Sequence, residues 1–308
     1  MNKIVCSIVV TFNRKELLLL NIKSLIEQDY KSHILIVDNA STDGTFDSLK
    51  QNFDFNKNDI EYIRTDFNMG GAGGFYTGLK YAFESGKYDY FFLMDDDGRP
   101  VNKETLSLLM KATDLFGTDF IINSIVVEKD LDKLTFGLSG YNSKKDIKID
   151  YIEGDNNPFN GTLISKEIVS KIGYPKKEFF LGCDEVEYMA RCKKNGGNVV
   201  TVCSSLYFHP ERVFPTENFF GRQIIRSDGK WQSYYRTRNQ INYIKEYKGK
   251  LAAIKFGFKK YIRAIITAKP HKIKTARIIR RAVIDGYKGN FSIDDMHITG
   301  KYKKKKKA

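Results

Sequence analysis

Phe91-Phe92-Leu93-Met94-Asp95-Asp96-Asp97-Gly98-Arg99-Pro100 sets an apolar run directly against three carboxylates. Four apolar residues in a row read as the end of a buried strand. Gly98 and Pro100 then stop regular structure. Three adjacent Asp repel one another, and a cation among them removes that repulsion. Oxygen ligands at a strand end suit Mg²⁺ or Mn²⁺, ions that commonly arrive with a diphosphate. The stretch therefore predicts a metal–diphosphate site at the carboxyl edge of a parallel sheet, where open α/β sheets bind ligands. A solvated acidic turn is the plainer alternative, and the flanking sequence decides between them.

Upstream, strand and helix patterns alternate. Ile4–Thr11 reads as a first buried strand rather than a signal peptide, because it runs straight into Asn13-Arg14. Asn13 is placed to cap a helix whose Leu18, Ile22, Leu25 and Ile26 recur at helical spacing. Ile34–Val37 and Ile60–Arg64 are further strands, and a helix is expected from Thr45. Asn68-Met69-Gly70-Gly71-Ala72-Gly73-Gly74 reads as a loop whose backbone N–H groups approach a ligand closely, followed by a helix from Phe75. A tight strand–helix turn accounts for the glycines equally well. The β-α-β-α-β-α-β rhythm implies a parallel sheet with right-handed crossovers.

Downstream, a helix is expected over Lys103–Leu115 and a strand over Phe120–Val127. Residues 129–153 read as hairpins or a loop. A short strand follows at Thr162–Ile164, then a helix from Lys166 and two late strands, Asn198–Val202 and Leu206–His209. Asp184, Glu185 and Glu187 sit at the start of another helix, where carboxylates favour the dipole. One of them is also suited to act as a general base toward an acceptor hydroxyl. His209 completes a metal site with the Asp triplet, or is simply structural.

The chain has 308 residues, enough for a large α/β domain plus an appendage. Cys6, Cys183, Cys192 and Cys203 have no C-x-x-C spacing and fit buried thiols in a reducing cytoplasm. The net charge of +14 is unevenly placed: Lys248 to Ala308 holds 19 Lys+Arg against 3 Asp+Glu, and the rest holds 32 against 34. Such a tail calls for an anionic partner. Ile254, Phe258, Tyr261, Ile262 and Ile265 follow helical spacing among lysines, Ile273–Lys288 is a second basic helix, and Lys303–Lys307 adds five charges. This composition suits a helix lying on an anionic membrane. Packing of the stripe on the rest of the protein is the alternative. A nucleic-acid-binding function for the tail is disfavoured, because no recognisable nucleic-acid module is present.

Together, Val9-Val10-Thr11-Phe12-Asn13-Arg14, Val37-Asp38-Asn39-Ala40-Ser41-Thr42-Asp43-Gly44, Asn68 to Phe75, the Asp95–Asp97 triplet and Asp184-Glu185 resemble family 2 glycosyltransferases with the GT-A fold. The glycine run, the triple Asp and Tyr234-Tyr235-Arg236-Thr237-Arg238-Asn239 are similar to the galactofuranosyltransferase branch; bacterial rhamnosyltransferases share much of the pattern. The resemblance implies an α/β fold with a GT-A type, Rossmann-like, mostly parallel sheet flanked by helices. A catalytic domain over 1–215 (nucleotide half about 1–100, acceptor half about 101–215) would precede a basic helical extension over 216–308.

It also implies roles. Thr11, Phe12, Arg14 and Asp38 bind the nucleotide. Asn68, Gly70, Gly71, Ala72, Gly73 and Gly74 line the donor pocket. Asp95 and Asp96 lie on the donor side. Asp95, Asp97 and His209 hold Mn²⁺ or Mg²⁺. Glu185 is the base, with Asp184 the alternative, since the family commonly has Asp at the second place of this pair. Phe159 and Asn160 face the acceptor. The expected activity is metal-dependent, inverting transfer of galactofuranose from its UDP-linked donor, or of rhamnose from a dTDP-linked one. The expected acceptor is a lipid-linked glycan of bacterial surface polysaccharide, at the inner face of the cell membrane. A homo-oligomer is compatible with this reading, and a nucleic-acid partner is not expected.

Overall fold

The structure, a computed structural model, describes residues 3–154, 158–211, 216–219, 222–225, 231–267 and 272–292. The Lys303–Lys307 run lies outside the described residues. Two compact units result. The first comprises Met1–Lys177 and Glu185–Glu211; the second comprises Glu178–Asp184 and the chain from Arg212 onward.

The first unit alternates as anticipated: β1 (Val5–Thr11), α1 (Lys15–Ile26), β2 (His33–Asp38), α2 (Thr45–Asn52), β3 (Ile60–Arg64), α3 (Gly70–Glu84) and β4 (Tyr90–Asp95). Then come β5 (Arg99–Pro100), α4 (Thr105–Phe116), β6 (Phe120–Val127), β7 (Lys133–Leu138), β8 (Tyr141–Ser143), β9 (Tyr151–Glu153), β10 (Thr162–Ser165) and α5 (Lys166–Ile172). α6 (Asp184–Lys194) and β11 (Asn198–Phe208) close it. The sheet runs β3-β2-β1-β4-β10-β6-β11-β5, with β7, β8 and β9 paired off its side. β3, β2, β1 and β4 are parallel, β10 is antiparallel to β4 and β6, and β11 is parallel to β6.

Strands covered on both faces read as continuous apolar runs, which explains why β1 and β4 were legible. Val5 and Val9 of β1, with Phe92 and Met94 of β4, pack with Leu18, Ile22 and Leu25 of α1 and Leu106 and Leu109 of α4. The alternate residues Cys6, Ile8, Val10, Phe91 and Leu93 pack with Phe75 and Leu79 of α3, Ile168 of α5 and Tyr188 of α6. Cys6, Cys192 and Cys203 are buried thiols, as anticipated; Cys183 is partly exposed.

Three expectations need correction. Asn13 is not a helix cap: Arg14 occupies that position without a side-chain cap bond. Asn13 instead takes a positive φ of 53°, and its Oδ1 accepts from the Thr42 N–H at 2.7 Å, tying two loops of the sheet edge together. The glycine run is the beginning of α3 rather than a loop before it. A Cβ on Gly74 would strike Val10, and one on Gly78 would lie 2.6 Å from Ile8 and 2.7 Å from Val37. These glycines let α3 lie close against β1 and β2, and that packing outweighs their low helix propensity of about 1 kcal/mol each. The two late strands are one, β11, whose register shifts between Val202 and Leu206.

The second unit contains β12 (Thr216–Phe219) and β13 (Arg222–Ile225), which pair antiparallel, then α7 (Trp231–Tyr247), α8 (Lys250–Thr267) and α9 (Lys272–Lys288). Phe180, Tyr234, Tyr235 and Ala282 form its buried cluster. Tyr234 donates to Asp285 at 2.6 Å, joining α7 to α9.

Candidate active site

Register brings the site together. Thr11 pairs with Asp38 and Val10 with Asp95, so β1, β2 and β4 end at one edge of the sheet. β11 returns antiparallel to β5, pairing Phe208 with Arg99. That pairing carries His209 back to the Asp97 turn. Gly98 makes the return feasible, because a Cβ there would strike Tyr207 and lie 2.9 Å from the Phe208 carbonyl. From beneath, buried Asn21 of α1 donates to the Gly98 carbonyl at 2.6 Å and the Asp95 carbonyl at 3.3 Å. Asn21 escaped the sequence reading, although a polar residue on the apolar face of a helix is a visible signal.

The triplet divides its labour. Asp96 turns inward, 4% exposed. It accepts from Thr11 Oγ1 at 2.7 Å, from the Phe12 N–H at 3.3 Å and from Arg14 at 3.3 Å. Burial pushes its carboxyl up to about 6 against the opposing pull of Arg14 and Thr11. Asp95 and Asp97 turn the other way, and one ligand atom from each of Asp95, Asp97 and His209 lies within 4.8 Å of the others. Asp97 also receives the Arg14 guanidinium. Burial alone would raise Asp97, yet His209 and Arg14 together hold it below its ordinary value.

His209 is 5% exposed, and its Nδ1 lies 2.7 Å from the Pro210 carbonyl. A carbonyl only accepts, so Nδ1 carries the proton. Nε2 is then the ring nitrogen that faces Asp97 Oδ1, at 3.4 Å. Asp97 Oδ1 is buried and accepts no hydrogen bond among the described residues. Two carboxylates plus an imidazole nitrogen, with an orphaned buried oxygen among them, fit a divalent cation.

Around this centre, Asp38 is fully buried; its carboxylate accepts from Tyr62, from Arg64 at 3.2 Å and from the Ser41 N–H at 2.8 Å. Tyr62, Arg64 and Ser41 had no role in the sequence reading. Just before α3, Asn68 accepts from the Gly70 N–H at 2.8 Å, and Asn39 donates to the Gly70 carbonyl at 3.1 Å. The positive end of α3 is thus tied to the same edge. Ala72, Gly73 and Gly74 are buried in the helix, while Gly71 is partly exposed. Phe12 and Arg14 are exposed on the rim. Asn160 is buried and reaches Asp95 Oδ2 at 3.5 Å. Phe159 is a core residue, 2% exposed between the rings of Phe75 and Tyr188.

The acids of α6 separate by burial. Glu187 is fully buried and pairs with Lys176 at 3.2 Å and Arg191 at 3.0 Å, which makes it structural. Asp184 is 5% exposed. Glu185 is half-buried, the most accessible of the three.

Comparisons with known proteins give the family. The family model "Glycosyl transferase family 2" matches residues 6–173. The galactofuranosyltransferase GlfT1 of Mycolicibacterium smegmatis is 29% identical over 220 residues, 68% of this chain and 71% of that protein. A GalNAc(5)-diNAcBac-PP-undecaprenol beta-1,3-glucosyltransferase of Campylobacter jejuni is 33% identical over 144 residues, 46% of this chain and 44% of that protein. Among solved structures, S. aureus TarS 1–349 aligns with a TM-score of 0.58 at 15% identity, covering 98% of this chain and 93% of its own. GalNAc-T7, crystallised with UDP, GalNAc and Mn²⁺, gives 0.60 at 12% identity over 91% and 54%. These structural likenesses carry the GT-A fold. The family match spans more than half of the chain and contains β1, β2, α3 and the Asp triplet: the chain belongs to glycosyl transferase family 2 and is a glycosyltransferase.

Proposed function

We propose that this enzyme transfers galactofuranose from UDP-galactofuranose to a hydroxyl of a lipid-linked glycan in bacterial surface polysaccharide assembly, with inversion at the anomeric carbon. The observation that carries the metal-dependent reading is the meeting of ligand atoms from Asp95, Asp97 and His209 within 4.8 Å. When bound there, Mn²⁺ or Mg²⁺ neutralises the diphosphate leaving group. Asp95, Asp97 and His209 Nε2 hold the ion, and Asp96 fixes the turn from below. Thr11, Phe12, Arg14, Asp38, Asn68 and the start of α3 form the donor side. Glu185 takes the proton of the acceptor hydroxyl as its oxygen bonds the anomeric carbon and the bond to the diphosphate breaks. Its exposure, beside buried Asp184 and ion-paired Glu187, supports Glu185 as the base.

The choice of sugar is supported by the galactofuranosyltransferase relative, and the lipid-linked acceptor by the relative named for a PP-undecaprenol-linked substrate. The peripheral membrane reading is supported by α8. Leu251, Ile254 and Phe258 are 74%, 52% and 66% exposed, and Lys255 and Lys259 are exposed beside them. Among the described residues no helix is long and apolar enough to cross a membrane, which suits a helix lying on the surface at the cytoplasmic face.

A donor screen tests the reading. UDP-galactofuranose, UDP-galactopyranose and dTDP-rhamnose are each incubated with a polyprenyl-diphosphate-linked glycan and Mn²⁺, Mg²⁺ or excess chelator. Turnover is expected with UDP-galactofuranose and either metal, and none with chelator. Preference for dTDP-rhamnose, or full activity in chelator, overturns it.

A further inference from the structure

The run Tyr234-Tyr235-Arg236-Thr237-Arg238-Asn239 carries no part of the transfer chemistry described above, yet all of it except the exposed Arg236 is buried. Arg238 and Asn239 are both fully buried on α7. Both are spent on one short piece of chain. Arg238 Nη2 donates to the carbonyls of Glu178 at 2.7 Å and Phe179 at 3.1 Å. Asn239 Nδ2 faces the carbonyls of Phe179 at 2.8 Å, Gly182 at 2.8 Å and Leu181 at 3.3 Å. Arg238 Nε donates to Asn239 Oδ1 at 3.0 Å, which settles which end of the amide faces the carbonyls.

That piece of chain does not hold its shape by itself. Phe180 and Cys183 have φ of 61° and 71°, a region that bulky side chains avoid, and Gly182 lies at 78°. Strained backbone of this kind persists only where its surroundings over-determine it. Here the surroundings include the five donor contacts from α7 and the ring of Phe180 stacked on Tyr235 at 4.7 Å. Arg238 forms no ion pair among the described residues; its guanidinium lies 4.9 Å from the ring centres of Tyr235 and Phe291. A buried cation without a paired carboxylate is a poor source of stability. What its contacts and those of Asn239 do enforce is the geometry of residues 178–182. The segment ends at Asp184 and runs directly into Glu185 at the start of α6.

We propose that Arg238 and Asn239 are positioning residues for glycosyl transfer: they clamp the backbone of residues 178–184 in its strained form and so set the direction in which the Asp184–Glu185 pair leaves it. The proposal rests on the reading of that pair as the source of the base. A displacement of about 1 Å at a reacting group lowers turnover by about 10²-fold.

The test uses the full-length enzyme with Arg238→Lys, Asn239→Ala and, in parallel, Glu185→Gln and Asp184→Asn. Lys keeps the charge and loses the planar fork; Ala removes the amide and leaves the charge in place. Each variant is measured for kcat, donor KM, Mn²⁺ affinity by calorimetry, melting temperature and amide hydrogen exchange. Both clamp variants are expected to lose about 10²-fold in kcat, with donor KM and Mn²⁺ affinity within twofold of the parent. Faster exchange is expected over 179–184 and not over β1 or β4. Wild-type kcat in a folded Asn239→Ala enzyme overturns the clamp. So does a fall in kcat that tracks Mn²⁺ affinity or a general gain in exchange, which marks plain loss of structure. If Glu185→Gln and Asp184→Asn both keep full activity, the acid assignment fails and the clamp falls with it. That outcome is distinct from inactive acid variants beside fully active clamp variants.

Discussion

The chain has two acidic clusters, Asp95-Asp96-Asp97 after β4 and Asp184-Glu185-Val186-Glu187 at the start of α6, and they are balanced differently. Each holds a buried carboxylate among partners from its own fold: Asp96 with Thr11 and Arg14, Glu187 with Lys176 and Arg191. At α6 one buried carboxylate takes two cations. At β4 two carboxylates, Asp96 and Asp97, share the single guanidinium of Arg14. The buried carboxylate Glu187 is thus matched by cations, whereas the pair at β4 shares one. Carboxylates left short of charge are suited to a mobile cation, and one already matched is suited to holding a helix in place while a neighbour reacts. On the proposed function, metal chemistry belongs to β4 and proton chemistry to α6.

The largest effect is expected where the deficit lies. Asp97→Ala removes a carboxylate that meets both His209 and Arg14. One metal ligand supports several kcal/mol of transition-state charge stabilisation. Turnover should fall by about 10³-fold or more, and calorimetry should show lost Mn²⁺ affinity with the fold intact by circular dichroism. Metal affinity equal to the parent would break the contrast between the clusters.

At α6 the neighbours should part company. Glu185→Gln is expected to lower kcat by about 10²–10⁴-fold, the usual contribution of a positioned base, with donor affinity kept. Glu187→Gln is expected to act on stability, because removing one partner from a buried ion pair costs about 3–5 kcal/mol. Urea unfolding should report that loss, and turnover per folded molecule should stay near the parent. If Glu187→Gln abolishes turnover at full stability, the division of roles within the helix is reversed.

What the sequence could reveal follows from the range over which each feature is decided. β1 and β4 are apolar without interruption because helices cover both faces of the sheet, so their limits were readable within a residue. Gly70–Gly74 misled because glycine reads locally as a break, whereas Gly74 and Gly78 answer to Val10, Ile8 and Val37 across the core. Asn198–Phe208 looked like two strands because a register shift interrupts its pattern between Val202 and Leu206. The acid types and the histidine of the site were visible and their meeting was expected, although no local pattern fixes it: it depends on Phe208 pairing with Arg99, 109 positions apart in the sequence numbering. Glu187 had a local signal in Arg191 four residues on, the spacing of an ion pair on one helix face. Its second partner, Lys176, comes from the loop before α6 and carried no such mark. Phe159 followed the implied role of its neighbour Asn160, yet its ring belongs to the core between Phe75 and Tyr188.

The smallest effect tests the buried member of the first cluster. Thr11 Oγ1 donates to Asp96 Oδ2 at 2.7 Å in a setting where both residues are buried. Thr11→Val keeps the shape of the side chain and removes that donor, leaving Asp96 the Phe12 N–H and Arg14, each at 3.3 Å. A hydrogen bond to a charged group contributes about 1.5–3 kcal/mol, and the unfolding free energy of Thr11→Val should fall by about that amount. Asp95, Asp97 and His209 keep their own contacts, so Mn²⁺ affinity should change by less than about fivefold, that is, by less than about 1 kcal/mol. Metal affinity falling as far as in Asp97→Ala would mean that Asp96 is part of the metal centre itself, and that the inward and outward carboxylates of the triplet do not divide as their burial implies.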